Sequence, residues 1–377
     1  MEVLMWLSHS EKSLKASDIC HALGVEIGST DPNFRNIPAI EIVLGCSLGL
    51  VTIEASTYTI RLVHYILKEY LSNNTDLFHR PHSTIAQVCL TFLNFQCIKD
   101  LSPSLARAPI TTPFLEYASL YWGKHARREI TESVSTLALR LLNGFDNHIS
   151  SSILLSGEWG SCSWMLCRNN PTGFTGLHII AYLGIVEIPA ALLKMKRWNL
   201  NAIDAGGNTA ILCAVRKGHE AMVKMLLERG DIALNTADRD GRTPLSWAAE
   251  SGHEGIVNIL LEREDVTPNT ADKNSRTPLA WAAARRHKGV VKMLLEREDV
   301  TPNTVSKHGG TPLLSAAIEG DEDMVRMFLE RGGVAPDIAN EHGRTPLSWA
   351  AGQGCEGVVK ILLELEDVTS NTTDKHG

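Results

Sequence analysis

Gly45-Cys46-Ser47-Leu48-Gly49 has the G-x-S-x-G spacing that, on a sharp strand-to-helix turn, presents a serine hydroxyl for acyl transfer. That chemistry needs a strand before the serine, a helix after it, and a histidine and an acid carried to it by a doubly wound sheet. Here the order is reversed. A helix-like apolar run over residues 37–44 precedes the motif, and the β-branched run Leu50-Val51-Thr52-Ile53 follows it. Gly45 and Gly49 are better placed to end that helix and admit a turn, so a hydrolase is the least supported reading. A phosphate-cradling G-x-x-x-x-G-K-[S/T] loop occurs nowhere in the 377 residues. The eight cysteines form no C-x-x-C pair, and the closest two, Cys162 and Cys167, have no second pair or histidine to complete a metal site. No catalytic residue, metal or cofactor is expected. Reduced, mostly buried thiols in an intracellular, cytoplasmic protein are.

Composition narrows the partners. Hydrophobic residues make up 44% and charged residues 21%, which is ordinary globular material with ample apolar side chains for a core. The net charge of -7 removes the electrostatic case for nucleic-acid binding, and both halves around Gly173 carry slightly more acids than bases. The first ten residues lack a basic start and reach Ser8, His9 and Ser10 early, unlike a signal peptide. The longest apolar stretch, 37–53, contains Pro38 and Glu41 and is short for a membrane span.

The elements that could position a binding surface lie in the second half. Thr175, Thr209, Thr243, Thr277, Thr311 and Thr345 recur every 34 residues, and the last four begin Thr-Pro-Leu. A glycine recurs at Gly184, Gly218, Gly252, Gly320 and Gly354, with Arg286 in the gap. Thr caps a helix and Pro suits its first position, where a missing N–H has no partner to lose. The first helix, such as Leu245-Ser246-Trp247-Ala248-Ala249, should stop at the glycine in a left-handed turn. A second helix then carries Ile256, Val257, Leu260 and Leu261 at helical spacing. Such a hairpin cannot bury its apolar side alone, so neighbours must stack.

This pattern resembles the ankyrin repeat, on the Thr-Pro-Leu start and on Gly218-His219 and Gly252-His253. The extra residue over the family's usual period falls in the loop at Glu264-Asp265-Val266-Thr267-Pro268-Asn269. The family's histidine after Thr is kept as His178, while Ser246, Ala280, Leu314 and Ser348 replace it elsewhere. Arg286 at a glycine position should strain its turn by about 1 kcal/mol. The resemblance implies an α-solenoid with β-hairpin fingers over 174–377, six units with the last incomplete, and binding of a protein partner.

Trp247, Trp281 and Trp349 occupy one equivalent repeat position. On the family's geometry they lie near the concave side. They are either anchors for a partner peptide or packing between repeats. The tips carry different residues on the repeated frame: Arg239-Asp240, Lys273-Asn274, Lys307-His308 and Glu341-His342. These residues and the tryptophans are the candidate partner-binding set.

In the first half, helices are expected over 3–10, 19–23 and 37–44, with Ser17 and Asp18 able to cap the second. Strands at 50–53 and 58–61 around a turn at 54–57 follow, then a helix over 62–71. That order is a winged helix over 1–75, followed by a helical segment over 76–150 and a linker over 151–173. The run Leu62-Val63-His64-Tyr65-Ile66-Leu67-Lys68-Glu69-Tyr70-Leu71 resembles the winged-helix module that follows the NACHT nucleotide-binding domain in fungal signalling ATPases, a module labelled after a GPI inositol-deacylase. Glu116-Tyr117-Ala118, Trp122 and His125 also resemble those proteins. The resemblance implies a nucleotide-sensing role for a histidine at the place of His64, but with no nucleotide domain in the chain a capping or packing role is expected. The third helix carries Glu41 and no basic residue, so it suits DNA poorly.

The expected whole is a mostly α, non-enzymatic interaction scaffold that binds a protein and not nucleic acid, a membrane or a small-molecule substrate. The alternative is part of a NACHT-type signalling ATPase whose nucleotide-binding domain is absent from this chain. The last full unit keeps an apolar outer face, and Leu365 replaces the arginine of Arg229, Arg263 and Arg297. With the chain ending at Asp374-Lys375-His376-Gly377, just before a seventh threonine, a truncated array that self-associates or frays is expected.

Overall fold

A computed structural model describes residues 1–102, 111–157, 173–188, 198–365 and 368. Most of the expected linker, Cys162 and Cys167, and the segment Asp374 to Gly377 lie outside the described residues. The chain divides into two compact units, Met1–Gly206 and Gly207–Gly377.

The first unit begins with α1 (Glu2–His9), α2 (Ala16–Leu23), α3 (Ile40–Cys46), β1 (Val51–Glu54), β2 (Thr59–Leu62) and α4 (Tyr65–Asn73). The element order is the expected one, and the boundaries move for local reasons. Helix α3 starts three residues later than expected because Pro38 holds its predecessor out of the helical region. Helix α2 takes Lys15 as its N-cap residue, and of the two expected capping residues Asp18 takes part, as the third helical residue of a capping box. Asp18 sits one turn in, and its carboxylate accepts the Lys15 backbone N–H at 3.1 Å. The antiparallel strands pair Val51 with Leu62 and Glu54 with Thr59, one residue later than expected, and Tyr58 closes the turn at φ 52°.

Next come α5 (Pro81–Leu93), α6 (Gln96–Lys99), α7 (Leu115–Arg128), α8 (Glu132–Leu142) and α9 (Ile149–Gly157). Helix α5 is buried nearly all round, as befits a central helix, and packs on α7 and α8. Trp6 meets Phe114 edge to face at 5.6 Å and Phe92 meets it at 5.3 Å, joining α1 to this core. Helix α10 (Gly176–Leu183), the first helix of the first repeat, belongs to this unit. It approaches α7 at Gly123, where any Cβ would stand 2.2 Å from Leu183 Cδ1.

The second unit contains five helix pairs: α11 (Ala210–Arg216) with α12 (Glu220–Leu227), α13 (Pro244–Ser251) with α14 (Glu254–Leu261), α15 (Pro278–Ala284) with α16 (Lys288–Leu295), α17 (Pro312–Ile318) with α18 (Glu322–Glu330), and α19 (Pro346–Gln353) with α20 (Glu356–Leu363). First helices stack on first helices and second on second, as a solenoid requires. The threonines cap as expected: Thr243, Thr277, Thr311 and Thr345 each accept the backbone N–H three residues on. Gly252 ends α13 in the left-handed region at φ 71°, and a Cβ there would meet the His287 ring at 2.5 Å. Arg286 takes the same conformation at φ 62°. The residue opposite it is the shorter Asp321 in place of histidine, which leaves room for its Cβ and pairs with its guanidinium at 3.7 Å.

The expected β-hairpin fingers are not formed: no strand occurs at the tips among the described residues. Asp238 Oδ1 accepts the N–H groups of Asp240 and Arg242, both at 2.9 Å, and so ties up the donors that a strand would need. Adjacent tips share one backbone bond, such as Lys273 N–H to Asp240 O at 2.9 Å and Lys307 N–H to Asn274 O at 2.8 Å.

Candidate interaction surface of the repeats

Three residue types build one rung in the repeats of Thr243 and Thr277. The loop acid comes first. Asp238 and Asp272 fold their own tips with Oδ1 and accept an indole N–H with Oδ2, from Trp247 at 2.9 Å and from Trp281 at 3.1 Å. The arginine just before the capping threonine comes second. Arg242 lies over Trp247 at 4.6 Å and over Trp281 of the next repeat at 4.0 Å, so one guanidinium bridges two indoles. Arg216 covers the other side of Trp247 at 3.6 Å. Acids complete the stack: Arg242 donates to Glu250 Oε2 at 2.6 Å and lies 3.8 Å from Asp272 Oδ2.

This geometry shows where the sequence-predicted residues fall. Trp281 is buried in the stack at 5% exposure, and Trp247 is half-buried. Trp349 lies under Arg344 at 4.9 Å. Its indole N–H is buried with no acceptor, because Asn340 stands where Asp238 and Asp272 stand in their repeats. The Asn340 amide oxygen already accepts from His342 and Arg344 N–H, which leaves only an NH2 group for the ring. The tips are exposed: Arg239, Asp240, Lys273, Lys307, His308, Glu341 and His342 all reach solvent. Glu341 sits 3.3 Å from His308 and 3.6 Å from His342.

The repeats of Thr175 and Thr209 have Phe174 and Asn208 in place of the arginine and Ile179 and Cys213 in place of the tryptophan, and the repeat of Thr311 interrupts the column between two rungs. Ser306, Gly310 and Ser315 replace the acid, the arginine and the tryptophan together. Ser306 Oγ still accepts the Gly310 N–H at 3.1 Å, so the turn survives while the stack is lost.

On the far edge, Asn235, Asn269 and Asn303 tie loops of adjacent repeats. Each amide donates to a carbonyl one repeat on (Asp265, Asp299 and Gly333) and accepts a backbone N–H there (Thr267, Thr301 and Ala335), at 2.6–2.9 Å. The recurrence of asparagine at the 34-residue period was the available signal for this ladder.

The first unit holds a histidine chain that no local pattern announces. Glu11 N–H donates to Tyr117 Oη, whose O–H faces His125 Nε2 at 2.9 Å; His125 Nδ1 faces His82 Nδ1 at 2.8 Å. With Tyr117 donating to Nε2, His125 donates from Nδ1 and His82 accepts; the opposite tautomer reverses both bonds. Burial holds both rings well below the usual imidazole range, and the neighbouring imidazole and Arg128 add to it. His148, whose Nε2 bonds the Leu93 carbonyl at 2.9 Å, is lowered by burial to about 4. Ser47 is buried and donates its hydroxyl to the Val43 carbonyl at 2.6 Å, so it ends α3. His64 is exposed at the start of α4 and makes no side-chain capping bond there. No group of three or more histidines, cysteines or acids among the described residues could hold a metal ion. No helix among them is long and apolar enough to cross a membrane.

A family model for ankyrin repeats matches three stretches, 143–238, 230–305 and 298–374. Among solved structures, an ankyrin repeat protein, EF0377, is 24% identical, with a TM-score of 0.47 over 50% of this chain and 97% of that one. The ankyrin repeat domain of Bcl-3, a member of the IkappaB protein family, is 23% identical, with a TM-score of 0.48 over 53% of this chain and 89% of that one. No curated protein matches. The family model covers well over half of the sequence and falls on the stacked helix pairs, and the chain belongs to the ankyrin-repeat family.

Proposed function

We propose that the protein is a non-enzymatic, intracellular scaffold that binds a partner protein through the tips and first helices of its repeats. The observation that carries this reading is a constant frame with variable ends. Rungs, caps and asparagine ties repeat, while the exposed tips run Arg-Asp, Lys-Asn, Lys-His and Glu-His. Residues fixed in a stack hold the frame, and residues free in water differ from repeat to repeat, as recognition requires. In this reading Trp247, Trp281 and Trp349 contribute by fixing the arginines and tips, with contact made along the edges of their stack.

A second reading rests on the first unit. Its element order fits a winged helix, and Leu48, Tyr65, Ile66 and Tyr70 are exposed at 88%, 80%, 59% and 56%. That amount of apolar surface suits covering by a further domain, as in a NACHT-type signalling ATPase.

Photocrosslinking from single sites tests the scaffold reading. A photoreactive side chain at position 308 or 342 in the full chain should give protein adducts in cells. One at Lys292, exposed on the second helix α16, should not. Adducts from position 292 alone would overturn the reading. Saturable ATP binding at micromolar concentration would favour the second.

A further inference from the structure

The missing rung leaves one arginine without its neighbours. Arg276 is the repeat equivalent of Arg242, and it stacks on Trp281 at 4.7 Å. Arg242 has three further partners: Glu250 eight residues on, the acid of the next tip, Asp272, and the indole of the next repeat, Trp281. At the places equivalent to these, Arg276 meets Ala284, Ser306 and Ser315. All three are small and uncharged. Among the described residues the Arg276 guanidinium has no hydrogen-bonding or ion-pairing partner. Its backbone is nonetheless fixed, because its N–H donates to Asp272 Oδ1 at 2.9 Å.

A half-buried guanidinium over an indole, with no hydrogen-bonding or ion-pairing partner among the described residues, is placed to take a carboxylate. The surroundings match that charge. Lys273 lies in the same tip, and Lys307 is joined to it through its N–H bond to the Asn274 carbonyl at 2.8 Å. Both lysines are exposed. The acid of the same tip, Asp272, is buried and already committed to the tip N–H groups, the Trp281 indole and Arg242, and the exposed tip acids Asp240 and Glu341 lie one and two repeats away, with Glu341 beside His308 and His342.

We infer that Arg276, with Lys273 and Lys307, forms an acid-binding pocket that takes a glutamate or aspartate side chain from an acidic segment of the partner protein. The partner's carboxylate occupies the place that Glu250 and Asp272 occupy around Arg242. This inference rests on the scaffold reading and adds the chemistry of the bound segment.

The test uses the full chain, an octaglutamate peptide as probe and the Arg276 side-chain Nε–H resonance, assigned with Arg276→Lys, as readout at low salt. Octaglutamate should shift that resonance saturably, and octaglutamine should not. By isothermal titration calorimetry, Arg276→Gln should weaken octaglutamate binding about tenfold or more. Ala284→Glu supplies the missing acid from within the chain, so it should abolish binding and raise the thermal midpoint; Ala284→Gln should leave binding intact. An unmoved Arg276 resonance, or equal binding by Arg276→Gln, overturns the pocket. Inorganic phosphate acting as well as octaglutamate at equal concentration overturns the peptide assignment in favour of a general anion site. Tip crosslinks to a protein together with a silent Arg276 would remove the pocket and leave the scaffold standing.

Discussion

The two units bury polar side chains by opposite means. The first keeps them neutral: Tyr117, His125 and His82 pass hydrogen bonds along a chain, and His148 holds the Leu93 carbonyl. The second keeps them charged: Arg242 lies over two indoles and is matched by Glu250 and Asp272. A neutral chain needs no counter-ion but fails when a proton is added. A charged stack tolerates protons until its acids titrate, but each member depends on its neighbours, so losing one exposes the next. Arg276 shows that dependence within a single chain.

The comparison can be broken first at its most buried indole. Trp281→Ala should cost ~3–5 kcal/mol in urea unfolding of the repeats, because it removes a large buried ring and leaves the Asp272 oxygen without its donor. A cost below about 1 kcal/mol, with loss of partner binding instead, would make the ring an anchor and not a frame member.

Acid should separate the units. The His148 value in the fold, about 4, lies below its ordinary 6.5, so the unfolded chain takes the proton first. The stabilisation is complete above pH 6.5 and is lost as pH falls toward 4, by roughly 3 kcal/mol at about 1.4 kcal/mol per unit. His125 and His82 act in the same direction. Amide protection in α5 and α9, relative to the unfolded-chain rate at each pH, should fall between pH 6.5 and 4.5 while that of α15 holds. An equal fall in both units would remove the contrast.

Asp272→Asn should cost ~1–3 kcal/mol, because it turns an NH2 toward the Trp281 indole and takes the charge from beside Arg242. The converse change, Asn340→Asp, gives the orphaned Trp349 indole an acceptor and should raise stability by ~0.5–1.5 kcal/mol in the same assay. Equal and near-zero effects would mean that the loop acid serves only its turn. The smallest effect is expected at Arg286→Gly. Relief of the left-handed backbone is worth about 1 kcal/mol and outweighs the long ion pair of the exposed Arg286 to Asp321, whose buried carboxylate keeps Lys288 at 2.9 Å, so a thermal midpoint raised by a few degrees should result.

The sequence displayed the frame because its signals are local and periodic. A capping threonine, a proline at the first helical position and a left-handed glycine act within a few residues, so their recurrence every 34 residues located each helix pair. Boundaries shifted where a neighbour intervened, as Pro38 delayed α3 and Lys15 displaced Asp18 from the cap. The fingers failed to become strands because the loop acid takes the tip N–H groups, a competition that hydrophobic spacing does not register. The rungs were half visible. The tryptophans stood out as a column, whereas the acid nine residues before Trp247 and Trp281 and the arginine five before each tryptophan read as ordinary tip charge. Their joint loss at Ser306, Gly310 and Ser315 was the signal that they act together. The His82–His125 chain gave no such signal, since its members lie 43 residues apart and meet only in the folded core.

The sharpest test of unequal rungs compares two arginines in one spectrum. Arg242 is half-buried, ion-paired to Glu250 and placed over two indoles, whereas Arg276 lies over one indole and has no ion-pairing partner among the described residues. Hydrogen exchange at the two side-chain Nε–H groups in the free full-length chain should be faster at Arg276 by about tenfold or more, and Ala284→Glu should slow Arg276 toward the Arg242 rate. Equal protection of the two groups in the unmodified chain, unchanged by Ala284→Glu, would contradict the account.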